Sequence, residues 1–489
     1  MRSILAVCAA AVLFASPLFA ESPPDSTDPA VTTPASTQPA DTSGDPADPQ
    51  QGQPNNQQPA QQASDSITLA NGKIRIGAVF FADYGVYFQT GFGPQFLTQT
   101  NFPGPGNNDF NTFDVHRAYI NLFYNVSDHL TLRITPNVYR EIITGAADKA
   151  GAVGAMPASA DGNLGFRLKY AYMEWAKLFD SKDNFKTTFE NTNVRFGQQM
   201  NPFVDWQEAL WDYRFLSLIS WNYLSLSSAQ VGASLNGPIA GKDGKMYLDY
   251  QIGIFNDASF HAFEFSEQKQ FMVRGSVYPF GAKTRFQGLG LTAFFDHGYQ
   301  NNAEDVGAAV VERFSGLVHY TTPGNNGMIA GEYQWGKNAF GTGNMFSGDG
   351  PQDLFGIGTT IYAKQTQLWQ AILAGTATRQ QGWNVFGRYQ FPNKISVFAM
   401  SNGFKPNTNI DENPLDFNHL VTGVAYRVSP RWRFAISYQQ AQYSHDQFTF
   451  PAATLATFSP SLATANPNGI PSAVPPSVHV GFFNLEFTF

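Results

Sequence analysis

Cysteine is almost absent from the 489 residues: the single one, Cys8, lies within the first twenty. Beyond residue 20 the chain offers no disulfide, no thiolate nucleophile and no cysteine-held metal. Charge is scarce too. Asp, Glu, Lys and Arg make up 14% of the chain, against roughly a quarter in ordinary soluble proteins. Long apolar runs are missing after residue 20, where a spanning helix needs roughly 18 consecutive apolar residues or more. Yet 43% of the residues are hydrophobic and 15% aromatic, with 44 Phe and 20 Tyr. Apolar mass without apolar runs means that hydrophobes are interleaved with polar residues, the pattern of strands facing lipid on one side and water on the other. A helical membrane protein is excluded, and the low charge argues against a cytosolic enzyme.

Residues 1–20 carry the features of a secretory signal peptide. Arg2 supplies the positive start, Ile4 to Phe14 the apolar centre, and Pro17-Leu18-Phe19-Ala20 the cleavage region. Leu5-Ala6-Val7-Cys8 offers a competing lipoprotein reading, but Val7 suits it poorly and the apolar run would then stay in the mature chain. Residues 21–66 hold nine Pro, eight Gln, no aromatic residue and no Lys or Arg. Such a segment cannot bury enough apolar surface to offset its ordering entropy, so it is expected to be a disordered periplasmic tether. It is either a plain spacer or a contact to peptidoglycan. Its seven acids dominate the net charge of -8; without them and Arg2, residues 67–489 carry 31 acids against 29 bases, a net of -2.

From Gly72 onward the dominant period is two. Leu130-Thr131-Leu132-Arg133-Ile134-Thr135 alternates strictly, as do Tyr247 to Ile254 and Trp432 to Gln439, so each run has one apolar and one polar face. Sixteen strands are expected, over 73–88, 111–125, 129–141, 165–178, 188–200, 226–236, 245–257, 268–279, 285–298, 309–322, 327–338, 382–391, 395–404, 416–428, 431–443 and 478–489. Short turns at 125–129, 279–283, 322–326, 392–394 and 429–431 alternate with long connections near 89–110, 142–164, 201–225, 339–381 and 444–477. The expected fold is all-β: a transmembrane antiparallel β-barrel over 67–489, with short periplasmic turns and long extracellular loops. A further hairpin within 353–378 would make eighteen strands. Either number encloses a water-filled lumen. The chain ends with Phe483, Leu485, Phe487 and Phe489 on one face and Asn484, Glu486 and Thr488 on the other. A terminal Phe after such alternation resembles the assembly signal of Gram-negative outer-membrane proteins. It points to the outer membrane and makes the barrel assembly machinery an expected partner.

The chain also resembles the phosphate-selective porin O and P family. The similar pieces are His116-Arg117-Ala118-Tyr119-Ile120 followed by Val126-Ser127-Asp128-His129, and Val194-Arg195-Phe196-Gly197-Gln198 followed by Pro202-Phe203. The Gln381-Gly382-Trp383 strand start and the hairpin from Tyr426 to Trp432 also fit. The resemblance implies a sixteen-stranded, usually homotrimeric channel for small hydrophilic solutes, set in outer-membrane lipid and lipopolysaccharide. It does not establish phosphate as the solute, which would need a crowded cationic zone. No cofactor and no nucleic-acid partner is expected.

With Leu130, Leu132 and Ile134 facing lipid, alternation turns Arg133 and Asn137 inward, and likewise Arg117, Arg195, Arg274, Arg313, Arg388 and Arg433. A lipid-facing Arg near the bilayer midplane would cost about 2–4 kcal/mol. Such a row either attracts anions or pairs with Glu141, Asp249, Glu332 and Glu486 and selects nothing. The stretch from Asn201 to Phe215 breaks the period of two. Asp205, Glu208 and Asp212 recur at three and four, as on one helix face, with Asn201 as cap, Pro202 in the first turn and Arg214 following. Folded inward after the fifth strand, this third long loop would set its acids opposite Arg117, Arg133 and Arg195 across water and narrow the pore; on the rim it would do neither. Water-exposed pairs of this kind would contribute about 0–1 kcal/mol each. The eight histidines are scattered, and no nucleophile, metal or nucleotide motif is present, so no enzyme is expected. The function expected is a passive porin, weakly anion-preferring at most. The alternatives are a phosphate-like anion channel and a non-conducting barrel whose tether joins membrane to cell wall.

Overall fold

The computed structural model describes residues 67–89, 110–140, 164–178, 191–216, 226–241, 245–258, 267–280, 284–299, 310–339, 379–405, 416–443, 447–450, 470–473 and 477–489, with 189, 224, 260, 264 and 408. The signal-peptide, tether and extra-hairpin expectations (1–20, 21–66 and 353–378) lie outside these residues.

Sixteen strands form the barrel. They are β1 (Ile74–Gln89), β2 (Phe110–Asn125), β3 (Leu130–Arg140), β4 (Leu164–Trp175), β5 (Asn193–Met200), β6 (Ala229–Ala240), β7 (Met246–Asn256) and β8 (Lys269–Val277). The second half is β9 (Leu289–Tyr299), β10 (Val310–Thr321), β11 (Gly327–Lys337), β12 (Arg379–Gln390), β13 (Ile395–Lys405), β14 (Phe417–Arg427), β15 (Trp432–Tyr443) and β16 (Ser477–Thr488). Each pairs antiparallel with the next, and β16 pairs back onto β1 from His479↔Gln89 to Thr488↔Val79, which closes the ring. Below that seam Ile67–Leu69 continues the ladder against Ile74–Ile76. The expected bounds shift by a few residues: β5 begins at 193, β6 runs on to 240, and β12 starts at 379. The long connection 444–477, expected to be plain loop, carries a two-stranded ribbon of Gln447–Phe450 with Ile470–Ala473.

The alternation sorts side chains as expected. Ile134, Phe196, Ile254, Val318 and Ile436 point outward and are exposed, whereas Asn236, Gln334, Asn384, Asn402, Gln439 and Asn484 point inward and are buried. Trp175 and Trp432 mark the outer surface at the short-turn end, Trp335 and Trp383 at the long-loop end, as interfacial girdles would be placed. Among the described residues no helix is long and apolar enough to cross a membrane.

Two irregularities matter for the interior. The β1–β2 register shifts between Phe81 and Ala82, and the β3–β4 register shifts between Thr135 and Pro136. Pro136 cannot donate to the ladder, which is where a bulge is tolerated. The inner wall is not uniformly polar either. Met272, Phe294, Leu317, Phe386, Phe398, Met400 and Val421 face inward on β8, β9, β10, β12, β13 and β14, and all are buried. They are covered by the segment that follows β5.

Candidate functional site

After Met200 the chain turns into the barrel. Asn201 Oδ1 accepts the backbone amides of Phe203 at 2.9 Å and Val204 at 3.3 Å, a turn that leads into helix α1 over Val204–Trp211. The N-cap position is Phe203, without a side-chain cap, so the expected cap at Asn201 and first-turn Pro202 both fall before the helix. The helix ends at Asp212, whose φ of 62° is left-handed, a conformation that Asp tolerates better than most residues. Phe203, Val204, Trp206, Trp211, Tyr213, Phe215 and Leu216 are all buried. Phe203 stacks on Phe294 at 4.9 Å, Trp211 meets Phe386 edge-on at 5.6 Å, Tyr213 lies 4.6 Å from Phe398, and Phe215 approaches Phe81 of β1. Fully burying one such side chain is worth about 1.5–3 kcal/mol. The segment therefore packs as a hydrophobic core against the inward-facing apolar residues of the wall.

Three wall arginines tie this loop down by one repeated device. Arg274 pairs with Asp249 at 2.8 Å and donates from Nε to the Pro202 carbonyl at 2.8 Å. Arg313 pairs with Asp296 at 2.6 Å and donates to the Leu224 carbonyl at 2.7 Å. Arg433 pairs with Glu486 at 2.6 Å, donates to the Asp212 carbonyl at 2.6 Å and holds its carboxylate at 2.9 Å. Each guanidinium thus joins an acid on the neighbouring strand to a carbonyl of the loop. These pairs are buried, Arg274 and Asp249 to 1% exposure. Breaking a buried pair by removing one partner costs about 3–5 kcal/mol.

The acids do not form the expected single row opposite Arg117, Arg133 and Arg195. Asp205 and Glu208 share a helix face: Asp205 accepts from the Tyr170 hydroxyl at 3.0 Å, and Arg214 of the same segment contacts Glu208 and lies 3.9 Å from Asp205. Asp212 leaves that face, because the left-handed turn sends it to Arg433, with Arg427 at 3.9 Å. Burial alone would raise its carboxyl, but Arg433, Arg388 and Arg427 outweigh burial and hold it below the ordinary range. Burial pushes the neighbouring Tyr213 hydroxyl up. Arg427 is the last residue of β14 and Arg433 the second of β15, so the segment reaches almost to the short-turn end.

Of the remaining expected arginines, Arg117, Arg133 and Arg195 lie on β2, β3 and β5, and Arg388 lies on β12. Arg117 donates to the Tyr119 hydroxyl at 2.8 Å, Arg133 to Asn121 at 2.9 Å and Thr135 at 3.1 Å, and Arg195 contacts Glu174. Arg388 reaches Asn325 in the turn at 3.1 Å. Of the acids expected to pair with them, Asp249 and Glu486 do so. Glu332 accepts from Gln207 of α1, Ser315 and Gln334, and Glu141 lies outside the described residues.

Sequence reading missed Lys169. The bulge between Thr135 and Pro136 resets the parity of β4, so Lys169 and Tyr170 are both buried against the interior. A signal was available: Arg167 and Lys169 fall on one parity of β4 and Glu174 on the other, so only a bulge keeps all three out of lipid. Gly197 belongs to the same sector. Its φ is 122° and a Cβ would meet the Ala171 carbonyl at 2.5 Å, so only glycine fits.

Among the described residues no group of three or more His, Cys, Asp or Glu is placed to hold a metal ion. No family model and no curated protein matches the chain. Among solved structures it is similar to an anion-selective porin from Comamonas acidovorans, at 9% identity over 85% of this chain and 99% of that one, with a TM-score of 0.47. It is also similar to OmpF of Salmonella typhi in complex with daunomycin, at 10% identity over 86% and 100%, TM-score 0.47. A third is the outer membrane channel DcaP of Acinetobacter baumannii, at 9% identity over 86% and 99%, TM-score 0.47. The barrel architecture rests on this chain's own strand pairing.

Proposed function

We propose that the protein is an outer-membrane porin, a passive channel for small hydrophilic solutes whose pore is narrowed by residues 201–216. One observation carries the reading: a closed sixteen-strand barrel, apolar outside and largely polar inside, holds a buried segment stapled against one side of its lumen. The apolar cluster around that segment draws on β7 to β15, β1 and β2, and the charged side chains Arg117, Arg133, Arg195, Asp205, Glu208 and Arg214 gather beside it as the proposed constriction. Arg274, Arg313 and Arg433 serve as staples, with Asp212 as a tie, and Arg388 lies near the turn-side mouth.

Most wall arginines have an acid beside them, and the folded part is nearly balanced, so net selectivity is weak. Membership of the phosphate-selective O and P family rests on the short motifs quoted above and adds no solute. A homotrimer, the assembly machinery, lipopolysaccharide and peptidoglycan are the proposed partners. Stepwise conductance of the purified protein in planar bilayers tests the channel. The second reading, a barrel that does not conduct, is favoured by the apolar core in the lumen. Absence of conductance steps together with peptidoglycan binding would establish it instead.

A further inference from the structure

Two patches on the outer surface at the short-turn end set cations beside exposed rings. In the β8–β9 turn the exposed Arg285 lies 5.0 Å over the ring of Phe286, which packs 5.6 Å from Phe280. Both rings are exposed, near Val277 of β8 and Leu291 of β9, and the Arg285 carbonyl accepts from the Tyr320 hydroxyl at 2.8 Å. The second patch spans the β12–β13 and β14–β15 turns. There Lys394 Nζ donates to the Val428 carbonyl at 3.4 Å, and the Arg427 amide donates to the Lys394 carbonyl at 3.0 Å. Lys394 and Arg431 are exposed, next to exposed Phe391, Tyr426, Val428 and Trp432. Charge also has a direction along the barrel. The connections at the short-turn end (67–73, 126–129, 176–192, 241–245, 278–288, 322–326, 391–394 and 428–431) hold ten Lys and Arg against five Asp and Glu. The connections at the opposite end, leaving aside 201–228, hold fifteen acids against two bases. Adding the five cations that end strands on that side still leaves the acids in excess.

We propose that these two patches bind anionic phospholipids of the leaflet at the short-turn end, a reading that rests on the outer-membrane assignment and deepens it. Arg285 in one patch, and Lys394 with Arg431 in the other, would hold the headgroup phosphate, while the acyl chains lie along the exposed rings. Long basic side chains carry their charge at headgroup level and lay their stems on apolar surface, and aromatic rings favour the same depth. Cations at a membrane surface attract anionic lipids over about a Debye length. An acidic stretch of polypeptide would meet the cations but leave the rings uncovered. A zwitterionic lipid would cover the rings, but its own cation offsets its phosphate. A lipid of net negative charge satisfies both.

The test is native mass spectrometry of the full-length protein in neutral detergent, titrated with phosphatidylglycerol or with phosphatidylcholine of the same acyl chains. Phosphatidylglycerol is expected to bind about tenfold more tightly, the scale of one or two surface cations acting on one headgroup. Replacing all three cations (Arg285→Gln, Lys394→Gln and Arg431→Gln) should bring the two lipids to within about twofold, whereas Arg285→Lys with Lys394→Arg should keep the preference. If the triple variant does not assemble, Arg285→Gln alone and the Lys394→Gln, Arg431→Gln pair should each weaken phosphatidylglycerol binding. Equal binding of the two lipids by the parent, the result expected if the cations serve an acidic protein segment instead, overturns the proposal. So does a neutralised variant that keeps the parental preference. Insertion into neutral phosphatidylcholine vesicles, read by protection from protease, tests the membrane reading separately. Failure to insert defeats that reading and the proposal together, whereas insertion without a lipid preference overturns the proposal alone.

Discussion

Arg433 donates to the backbone carbonyl of Asp212 at 2.6 Å while its Nε holds Glu486 on the adjoining strand at 2.6 Å. Its guanidinium also lies over Tyr213 and Phe215, at 4.8 and 4.6 Å. One side chain thus locks strand to strand and wall to loop. Arg274 and Arg313 repeat the arrangement at Pro202 and Leu224, so an apparent row of pore arginines is partly a set of fasteners.

Replacing Arg433 with Met should destabilise the barrel by about 3–5 kcal/mol, since buried Glu486 is left without its partner and Asp212 keeps only the more distant Arg427. The temperature at which the folded barrel loses its fast migration on gels should fall, and the open-channel current should become noisier. An unchanged transition temperature would mean that the staple adds nothing.

Trp211 is fully buried between Phe386 and Phe398. Trp211→Ala should cost about 3–5 kcal/mol, as for other large-to-small changes in a packed core, and should raise conductance as the segment loosens. Parental conductance with reduced stability would separate the segment's packing from the pore.

Asp212 gives a pH signature. Its folded-state carboxyl is held below the ordinary value of 3.8 by the three arginines. Its contribution to stability is therefore complete above the unfolded-chain value, and is lost only as pH falls through the lower folded one. Asp212→Asn should be less stable than the parent at pH 7 and at pH 5 by the same margin, with the gap closing only below about pH 4. A gap that closes between pH 7 and 5 contradicts the arginine assignment.

Substituting Asp205→Asn and Glu208→Gln together leaves Arg117, Lys169 and Arg214 with no acid on the helix. The reversal potential in a salt gradient should move toward anions. No movement would place the water path elsewhere in the barrel.

Much of this was legible in the residues. Leu130 to Thr135 and Phe483 to Phe489 report their faces by simple alternation, and the spacing of Asp205 and Glu208 signals the helix. Asp212 was misread because its helical spacing continues past the end of the helix; only the left-handed backbone at that residue reveals that its side chain turns away. Lys169 was missed because alternation gives a side only until a bulge intervenes.

The sequence by itself determined the barrel, because the period of two is a local property, enforced residue by residue by the contrast between an apolar exterior and a polar interior. Helix α1 was determined in the same local way. Only the tertiary structure decided what the inward arginines do. Asp212 and Arg433 stand 221 residues apart, and they meet because ring closure carries β15 and β16 round to β1, where the segment after β5 descends. Alternation places a charge inside the barrel, but its partner is chosen by which strands and loops share the lumen, and that is a property of the closed ring.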